Sequence, residues 1–348
     1  MLIQSHRPDR ILPSELDHRL AQGWFRIGDS LFTCKAVWFE GVPRSALWIR
    51  LDLGTYSWRK SQRKLLSRIH RRYRVELGHL ELNAEKRELY ARYRVQASGT
   101  RAERLEAVLG GIRGQGLFDT REIRIFDGER LVAFSWFDVG DHSAESILGV
   151  YDPECAADSL GYVSMLLEIQ ALQEMGFAFY YPGYVLPGAP EMDYKLRLGE
   201  IEYWDPDKWT WRPKEESDRI LHVVEHSQRL LLEVAAWLSG ANIQAKMVAY
   251  PGFELPSMQP SLSDGLAVPV LLHVPSDLDP GSPLVVTWTS EVGYQIQRCQ
   301  AMVLIARRPN GEEVPEARRS FLQSETVEGV AQDPAQAAAI ALQALESD

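Results

Sequence analysis

The chain has 348 residues, 45% of them hydrophobic and 25% charged, a globular composition that at this length predicts two or three separate cores. A formal net charge of −10 excludes a protein that coats nucleic acid with its whole surface, so any nucleic-acid contact has to be a local basic patch on an acidic background. Cys34, Cys155 and Cys299 are odd in number and far apart, which is no disulfide framework and fits a reducing cytoplasm. The first residues lack a basic-then-apolar leader, and no apolar run approaches the roughly 18 residues of a bilayer span. A soluble cytoplasmic protein with no membrane partner is expected.

From Leu16, the sequence LDHRLAQGW predicts a short helix stopped at Gly23, followed by strands on either side of a Gly28-Asp29 turn. Residues 45–53, SALWIRLDL, read as a strand. Next comes the densest positive run: Arg59, Lys60, Arg63, Lys64, Arg68, Arg71, Arg72 and Arg74 place eight cations in sixteen residues with no carboxylate among them. Leu65, Leu66 and Ile69 fall at helical spacing and bury one face, so the cations project from the other. A solvated helix face is the ordinary reading of a charge run, but in an acidic chain this one is costly unless a polyanion meets it.

Residues 78–97 predict an amphipathic helix. The stretch up to Thr120, with Gly110, Gly111, Gly114 and Gly116, predicts a flexible loop; no GxGxxG follows a strand there, so it is no nucleotide cradle. Strands are predicted at 121–126, 131–138 and 146–151, the first two joined by a turn at Asp127-Gly128. A helix capped by Asp158 or Ser159 then runs to Gly176, and 177–181 is a short buried strand. Pro182, Gly183, Pro187, Gly188 and Pro190 break the chain into an irregular loop where backbone donors face a ligand, and Tyr184, Tyr194 and Lys195 bring hydroxyls and a cation to it.

Past Glu202 come Trp204, Trp209 and Trp211, then a helix over 217–238 closed by Gly240. His222 and His226 are four apart, but no third ligand is near and no metal site is expected. Residues 251–283 have linker-like Pro, Ser and Asp content, with strands predicted at 267–274, 284–290 and 301–307, a turn at Asn310-Gly311 and a closing helix in AQAAAIALQAL.

The order Tyr181-x-Gly183-Tyr184, Met192-x-Tyr194-Lys195 and Glu202 resembles the signature of the arginyl-tRNA-protein transferase family, including its bacterial leucyl-transferring branch. Tyr151, Asp152 and Pro153 ahead of Ser159-Leu160-Gly161, and Arg59-Lys60-Ser61-Gln62-Arg63-Lys64, resemble further elements of that family. The resemblance spans residues 15–210. It implies an α+β chain with a GNAT-like acyltransferase domain over 78–214, a fold that three antiparallel strands, a helix and a further strand also outline. It further implies a small N-terminal α+β domain over 1–77 with the tRNA-contacting helix, leaving an additional C-terminal α/β segment over 215–348 with no assigned role.

The implied function is an aminoacyl-tRNA-protein transferase of the N-degron type. It moves an amino acid, in such families most often arginine, from charged tRNA to the α-amine of a protein with a free, acidic N-terminus, with no DNA partner. Tyr184, Tyr194 and Lys195 are the expected catalytic residues, with Asp138 as partner of the cationic α-amine. Tyr181, Gly183, Met192, Arg197, Glu202, Ser159 and Gly161 are expected to bind substrate, and Arg59, Lys60, Ser61, Arg63 and Lys64 to contact tRNA. In place of the family's CxxCxxC cluster only Cys34 remains, so neither an iron-sulfur cluster nor any cofactor beyond aminoacyl-tRNA is expected. Glu191, Asp193 and Glu200 stand where Lys, Asn and Pro are usual. Two other readings compete: an acetyl-CoA-dependent acetyltransferase, against which CAADSLGYVS offers one glycine where a Q/RxxGxG/A turn is needed, and a non-catalytic relic that binds tRNA or protein N-termini.

Overall fold

The computed structural model describes residues 2–97, 101–114, 116–213, 222–258, 262, 264–276, 281–307 and 313–347. The chain divides into two compact units, one of Ser5–Thr33 and Ala46–Ile220, the other of Met1–Gln4, Cys34–Ser45 and Leu221–Asp348. The boundaries expected at 77 and 214 therefore change. Residues 1–77 are not a domain, because the strand at 47–52 pairs in the middle of a large sheet with strands far along the chain.

That sheet has eight strands: β1 Leu47–Asp52, β2 Arg74–His79, β3 Thr120–Asp127, β4 Arg130–Val139, β5 Ser143–Tyr151, β6 Phe179–Val185, β7 Glu202–Asp205 and β8 Thr210–Pro213, in the order β8-β7-β1-β6-β5-β4-β3-β2. Helices α1 Pro13–Ala21, α2 Lys60–Arg72, α3 Ala84–Gln96 and α4 Leu160–Glu174 complete the unit, with a hairpin of Phe25–Ile27 and Ser30–Cys34. Helix α4 buries residues on all sides, from Leu160 through Leu166 and Ile169 to Leu172, as expected of a helix inside a core. It shares one core with Ile49, Leu51, Ile69, Ile125, Phe137 and Tyr180. Leu89, Tyr90, Leu105, Leu109, Phe134 and Trp136 form a second core.

The order β3-β4-β5-α4-β6 is the GNAT-like α+β arrangement. Its pivotal feature is β5 against β6, the sheet's parallel pair, which holds register only from Ser143–Phe179 to Glu145–Tyr181. Beyond it β5 bulges between Ser146 and Leu148, while β6 shifts register against β1 between Tyr180 and Gly183. The two strands therefore part. Pro182 has no N–H to donate and sits in that irregularity, so β6 continues to Val185 where the sequence predicted a loop from 182.

Two further expectations change. The helix expected from 78 does not begin there: Gly78 and His79 end the strand Arg74–His79, which pairs with β3 along its whole length, and α3 starts only at Ala84, where the Asn83 side chain accepts from the Lys86 N–H. The glycine-rich stretch is packed, not free: two helical turns, Leu105–Val108 and Gly111–Gly114, bury Leu105 and Leu109. Gly110 has φ +81°, and a Cβ there would stand 2.3 Å from the Asp29 backbone nitrogen.

The other unit is a five-stranded antiparallel sheet of β9 Lys246–Ala249, β10 Val270–Val274, β11 Leu284–Thr289, β12 Gly293–Arg307 and β13 Glu313–Ala331, in that order. Helices α5 Val223–Gly240 and α6 Pro334–Glu346 share its core through Leu231, Val234, Leu238, Leu272, Val286, Ile296 and Ala341. The expected helix start at Ser217 and turn at Asn310-Gly311 lie outside the described residues. Among the described residues no group of His, Cys, Asp and Glu is arranged to hold a metal, and no helix is long and apolar enough to cross a membrane.

Candidate active site

Where β5 and β6 part, the 3-10 helix Pro190–Arg197 follows the end of β6 and carries Tyr194 and Lys195. The Lys195 ammonium donates to the Tyr184 carbonyl at 3.0 Å. Burial, and then the charge of Arg101, pull this lysine down to about 8. Gly183 is required beside it: its φ is +89°, and a Cβ would lie 3.3 Å from Lys195 Nζ. Burial pushes the Tyr194 hydroxyl up to about 12, with Tyr93 the next influence and Arg101, Glu168 and Tyr151 also acting on it. Tyr93 and Tyr151 meet edge to face at 5.2 Å, and Gly161 in the first turn of α4 leaves room for the Tyr151 ring, which a Cβ would approach to 3.3 Å.

Beneath this group lies Glu168, fully buried in α4, which accepts from the Tyr180 hydroxyl at 2.6 Å. Burial raises its carboxyl to about 7 against the opposing hydrogen bonds. The site thus combines a lysine that is partly neutral near pH 7–8, a tyrosine that stays protonated there, and a carboxyl that titrates near neutrality. Such perturbed groups are what proton transfer at neutral pH needs.

The cations of α2 and its flanks differ in their partners, and exposed Arg71 donates only to the Ser67 carbonyl at 3.2 Å among the described residues. Arg68 and Arg72 face Asp158 at 3.8 and 2.8 Å, Arg72 also approaches Asp127 at 4.0 Å, and Arg74 pairs with Glu76 and Glu129. Arg59, Lys60, Arg63 and Lys64 are exposed and, among the described residues, none has a carboxylate partner. Ser61 is exposed beside them. Gln62, within the same turn, is buried and hydrogen-bonds the Leu198 carbonyl at 2.8 Å, just past the helix that carries Lys195. Exposed Arg197 lays its guanidinium 5.3 Å from the Tyr162 ring.

Other expected site residues lie elsewhere. Asp138 is fully buried: both its oxygens accept from Arg26 Nη1 at 3.0 Å, and the Thr120 hydroxyl donates to it. The Arg26 backbone N–H meets both Glu145 oxygens at 3.0 Å, and Nη2 donates to the Leu109 carbonyl. Asp138 thus anchors the Phe25–Cys34 hairpin to the sheet and is not open to a substrate ammonium, which corrects its expected catalytic role. Strand alternation turns Tyr181 to the face opposite Tyr180, where it meets Phe25 and Trp211. Glu202 pairs there with Arg50 at 2.7 Å, whose guanidinium lies between Phe179 and Trp211 at 4.2 and 4.9 Å. The Tyr184 ring stands against Trp48 at 4.9 Å and lies 5.8 Å from the Lys195 ammonium, so this residue meets Lys195 with its carbonyl and its ring. Met192 is half-buried. Ser159 is left-handed at φ +56° and makes no side-chain cap.

Sequence reasoning missed Gln62, Arg101, Tyr162, Glu168 and Tyr180. One signal was available: Glu168 is the only carboxylate in the otherwise apolar run LGYVSMLLEIQAL.

A family model described as the C terminus of arginine-tRNA-protein transferase matches residues 69–205. The aspartate/glutamate leucyltransferase of Leptospira interrogans is 27% identical over 206 residues, covering 57% of this chain and 75% of that protein. The enzyme of the same description from Xanthomonas axonopodis pv. citri is 30% identical over 178 residues, covering 49% and 70%. Among solved structures, a GCN5-related N-acetyltransferase from Kribbella flavida aligns with a TM-score of 0.27 at 16% identity, over 49% of this chain and 55% of that one. The sequence matches define an aminoacyltransferase that uses aminoacyl-tRNA and protein substrates. The chain belongs to the aminoacyl-tRNA-protein transferase family.

Proposed function

We propose that the parting of β5 and β6 is where the aminoacyl ester of a charged tRNA meets the α-amine of an acceptor protein, with Lys195 as the proton carrier. The observation that carries this reading is the half-buried Lys195, whose ammonium donates to the Tyr184 carbonyl and whose proton affinity its surroundings bring down to about 8. The neutral amine attacks the ester carbon, a C–N bond forms, and the bond from that carbon to the tRNA 3′ oxygen breaks. Neutral Lys195 takes the proton the amine nitrogen loses and returns it to the departing 3′ oxygen. Tyr194, still protonated at neutral pH, donates to the oxyanion between these steps. The ester is already activated, so holding the two reactants in line supplies most of the acceleration.

The donor proposed is leucine and the acceptor residue aspartate or glutamate, after the descriptions of the relatives matched along most of their length. The family model is described by arginine, which was also the donor expected from the sequence, and arginine is kept as the second reading. Arg197 is suited to pair with the acceptor's side-chain carboxylate. In the cytoplasm, the new N-terminus would act as a degradation signal.

The test offers labelled leucyl- and arginyl-tRNA to peptides beginning with Asp, Glu, Arg or Ala, with the amine free or acetylated. Product is expected from leucyl-tRNA on free Asp and Glu peptides and none from acetylated ones. Product from arginyl-tRNA alone moves the donor to arginine. Binding of tRNA without product from any pairing would leave a binder, and acetylation by acetyl-CoA would make the protein an acetyltransferase.

A further inference from the structure

The first turn of α2 and the segment following Lys195 are more than a hundred residues apart, yet a dense set of hydrogen bonds joins them. Gln62 lies at the centre, buried between exposed Ser61 and Arg63. Its Oε1 accepts the Arg59 backbone N–H at 2.9 Å. Its Nε2 donates to the Leu198 carbonyl at 2.8 Å and the Arg197 carbonyl at 3.3 Å, and lies 3.2 Å from the Tyr162 hydroxyl. Tyr162 donates to the Arg197 carbonyl at 3.0 Å, Tyr56 to the Leu198 carbonyl at 2.8 Å, and the Arg59 guanidinium reaches the Arg197 and Gly199 carbonyls at 3.4 Å. Gly199 lets the segment approach, since a Cβ there would come within 2.7 Å of Leu51 and 2.8 Å of Tyr56.

Only a primary amide fits this place. It must offer an acceptor to one N–H and donors to two carbonyls at once; a carboxylate would set charge against the carbonyls, and an apolar side chain would leave the Arg59 N–H without its acceptor and take one donor from each carbonyl. A capping role for α2 explains the Oε1 bond alone. The Nε2 bonds cross 135 and 136 residues of sequence and have nothing to do with helix initiation.

We propose that Gln62 is a positioning residue that locks the Lys195 segment onto the turn bearing Arg59, Lys60, Arg63 and Lys64, so that a phosphate backbone docked on those cations is held in register with Lys195. This rests on the reading above that tRNA docks on α2 and that Lys195 carries the proton. Register matters because a misplacement of about 1 Å can cost on the order of a hundredfold in rate. It also matters for the lysine itself, whose lowered proton affinity depends first on burial.

The test compares Gln62→Met, which keeps volume and loses the amide, and Tyr162→Phe, which keeps shape and loses one bond, with the unmodified full-length protein. Transfer of the labelled amino acid is measured against pH, and tRNA affinity separately. In Gln62→Met, kcat is expected to fall about tenfold to a hundredfold with tRNA Kd within about twofold, a loss confined to the reacting geometry. The inflection of kcat near 8 moves upward as water reaches Lys195. Tyr162→Phe is expected to move both readouts the same way by less. An unchanged kcat and inflection in a folded Gln62→Met overturns the proposal, as does loss of tRNA affinity at constant kcat, which would make Gln62 a helix cap only. Absence of transfer by the unmodified protein overturns the underlying reading, and the proposal with it.

Discussion

Lys195 is half-buried with its Nζ on the Tyr184 carbonyl, and that environment has consequences for rate and stability that can be separated. If its neutral form accepts the proton, transfer rises with pH through about 8 and levels above it. Lys195→Arg, charged at every accessible pH, is expected to abolish the rise and most of the activity, whereas a role in binding an acceptor carboxylate would survive that change. The folded protein holds its proton on Lys195 less tightly than the unfolded chain, so stability increases as pH climbs from about 8 towards the ordinary lysine value. Lys195→Met should therefore lose activity without losing melting temperature at pH 7. Glu168 has the opposite sign: its carboxyl is raised to about 7, so its contribution is fully present below the ordinary value of 4.5 and is lost as pH rises through 7. Glu168→Gln is expected to flatten the melting temperature between pH 5 and pH 8; an unaltered slope would show that another group titrates there. Tyr194 and Lys195 are expected from sequence because they lie within one short motif, and the structure places both on the 3-10 helix Pro190–Arg197. Asp138 could not be assigned, since its partner Arg26 is 112 residues away and nothing local tells an anchoring carboxylate from a catalytic one. Asp138→Ala is accordingly expected to cost about 3–5 kcal/mol of stability by leaving a buried guanidinium unpaired.

Among the elements, α2 shows how much a charge run discloses. Its helical period and exposed cations were legible, but its division was not. Asp158 and Asp127, which meet Arg68 and Arg72, enter from other parts of the chain. Replacing Arg59, Lys60, Arg63 and Lys64 with Ala should weaken tRNA binding and lower its log-log salt slope by roughly 0.7–0.9 for each phosphate that no longer meets a cation. The same change at Arg68 and Arg72 should leave most of the slope in place; equal flattening by both sets would spread the footprint over the whole helix. For β2 and the glycine-rich turns the local pattern misled. Residues 74–79 lack a strong alternation and gain strand structure from β3, while Leu105 and Leu109 become ordered by burial among Tyr90, Phe134 and Trp136.

For the whole molecule, chain order and spatial order disagree in a way composition cannot reveal. From sequence the C-terminal residues form an additional segment over 215–348 with no assigned role, yet their unit is completed by Cys34–Ser45 from the N-terminal part of the chain. In that unit the hairpin Ala36–Phe39 with Val42–Ser45 buries Ala36 in the core, and the Trp38 N–H donates to Glu254 at 3.0 Å. Ser45 Oγ accepts the Val224 N–H at 3.0 Å and donates to Glu225 at 2.6 Å. Removing residues 221–348 would leave this hairpin with an exposed apolar face, a condition that promotes association between chains. Truncation after residue 213 is therefore expected to give an aggregating protein by sedimentation, although every strand of the eight-stranded sheet is retained. Replacing 34–45 with a Gly/Ser linker in the same truncated chain is expected to restore a monomer. A monodisperse truncated chain with 34–45 intact would mean that the hairpin does not depend on the C-terminal core, and that the boundary read from sequence is the functional one.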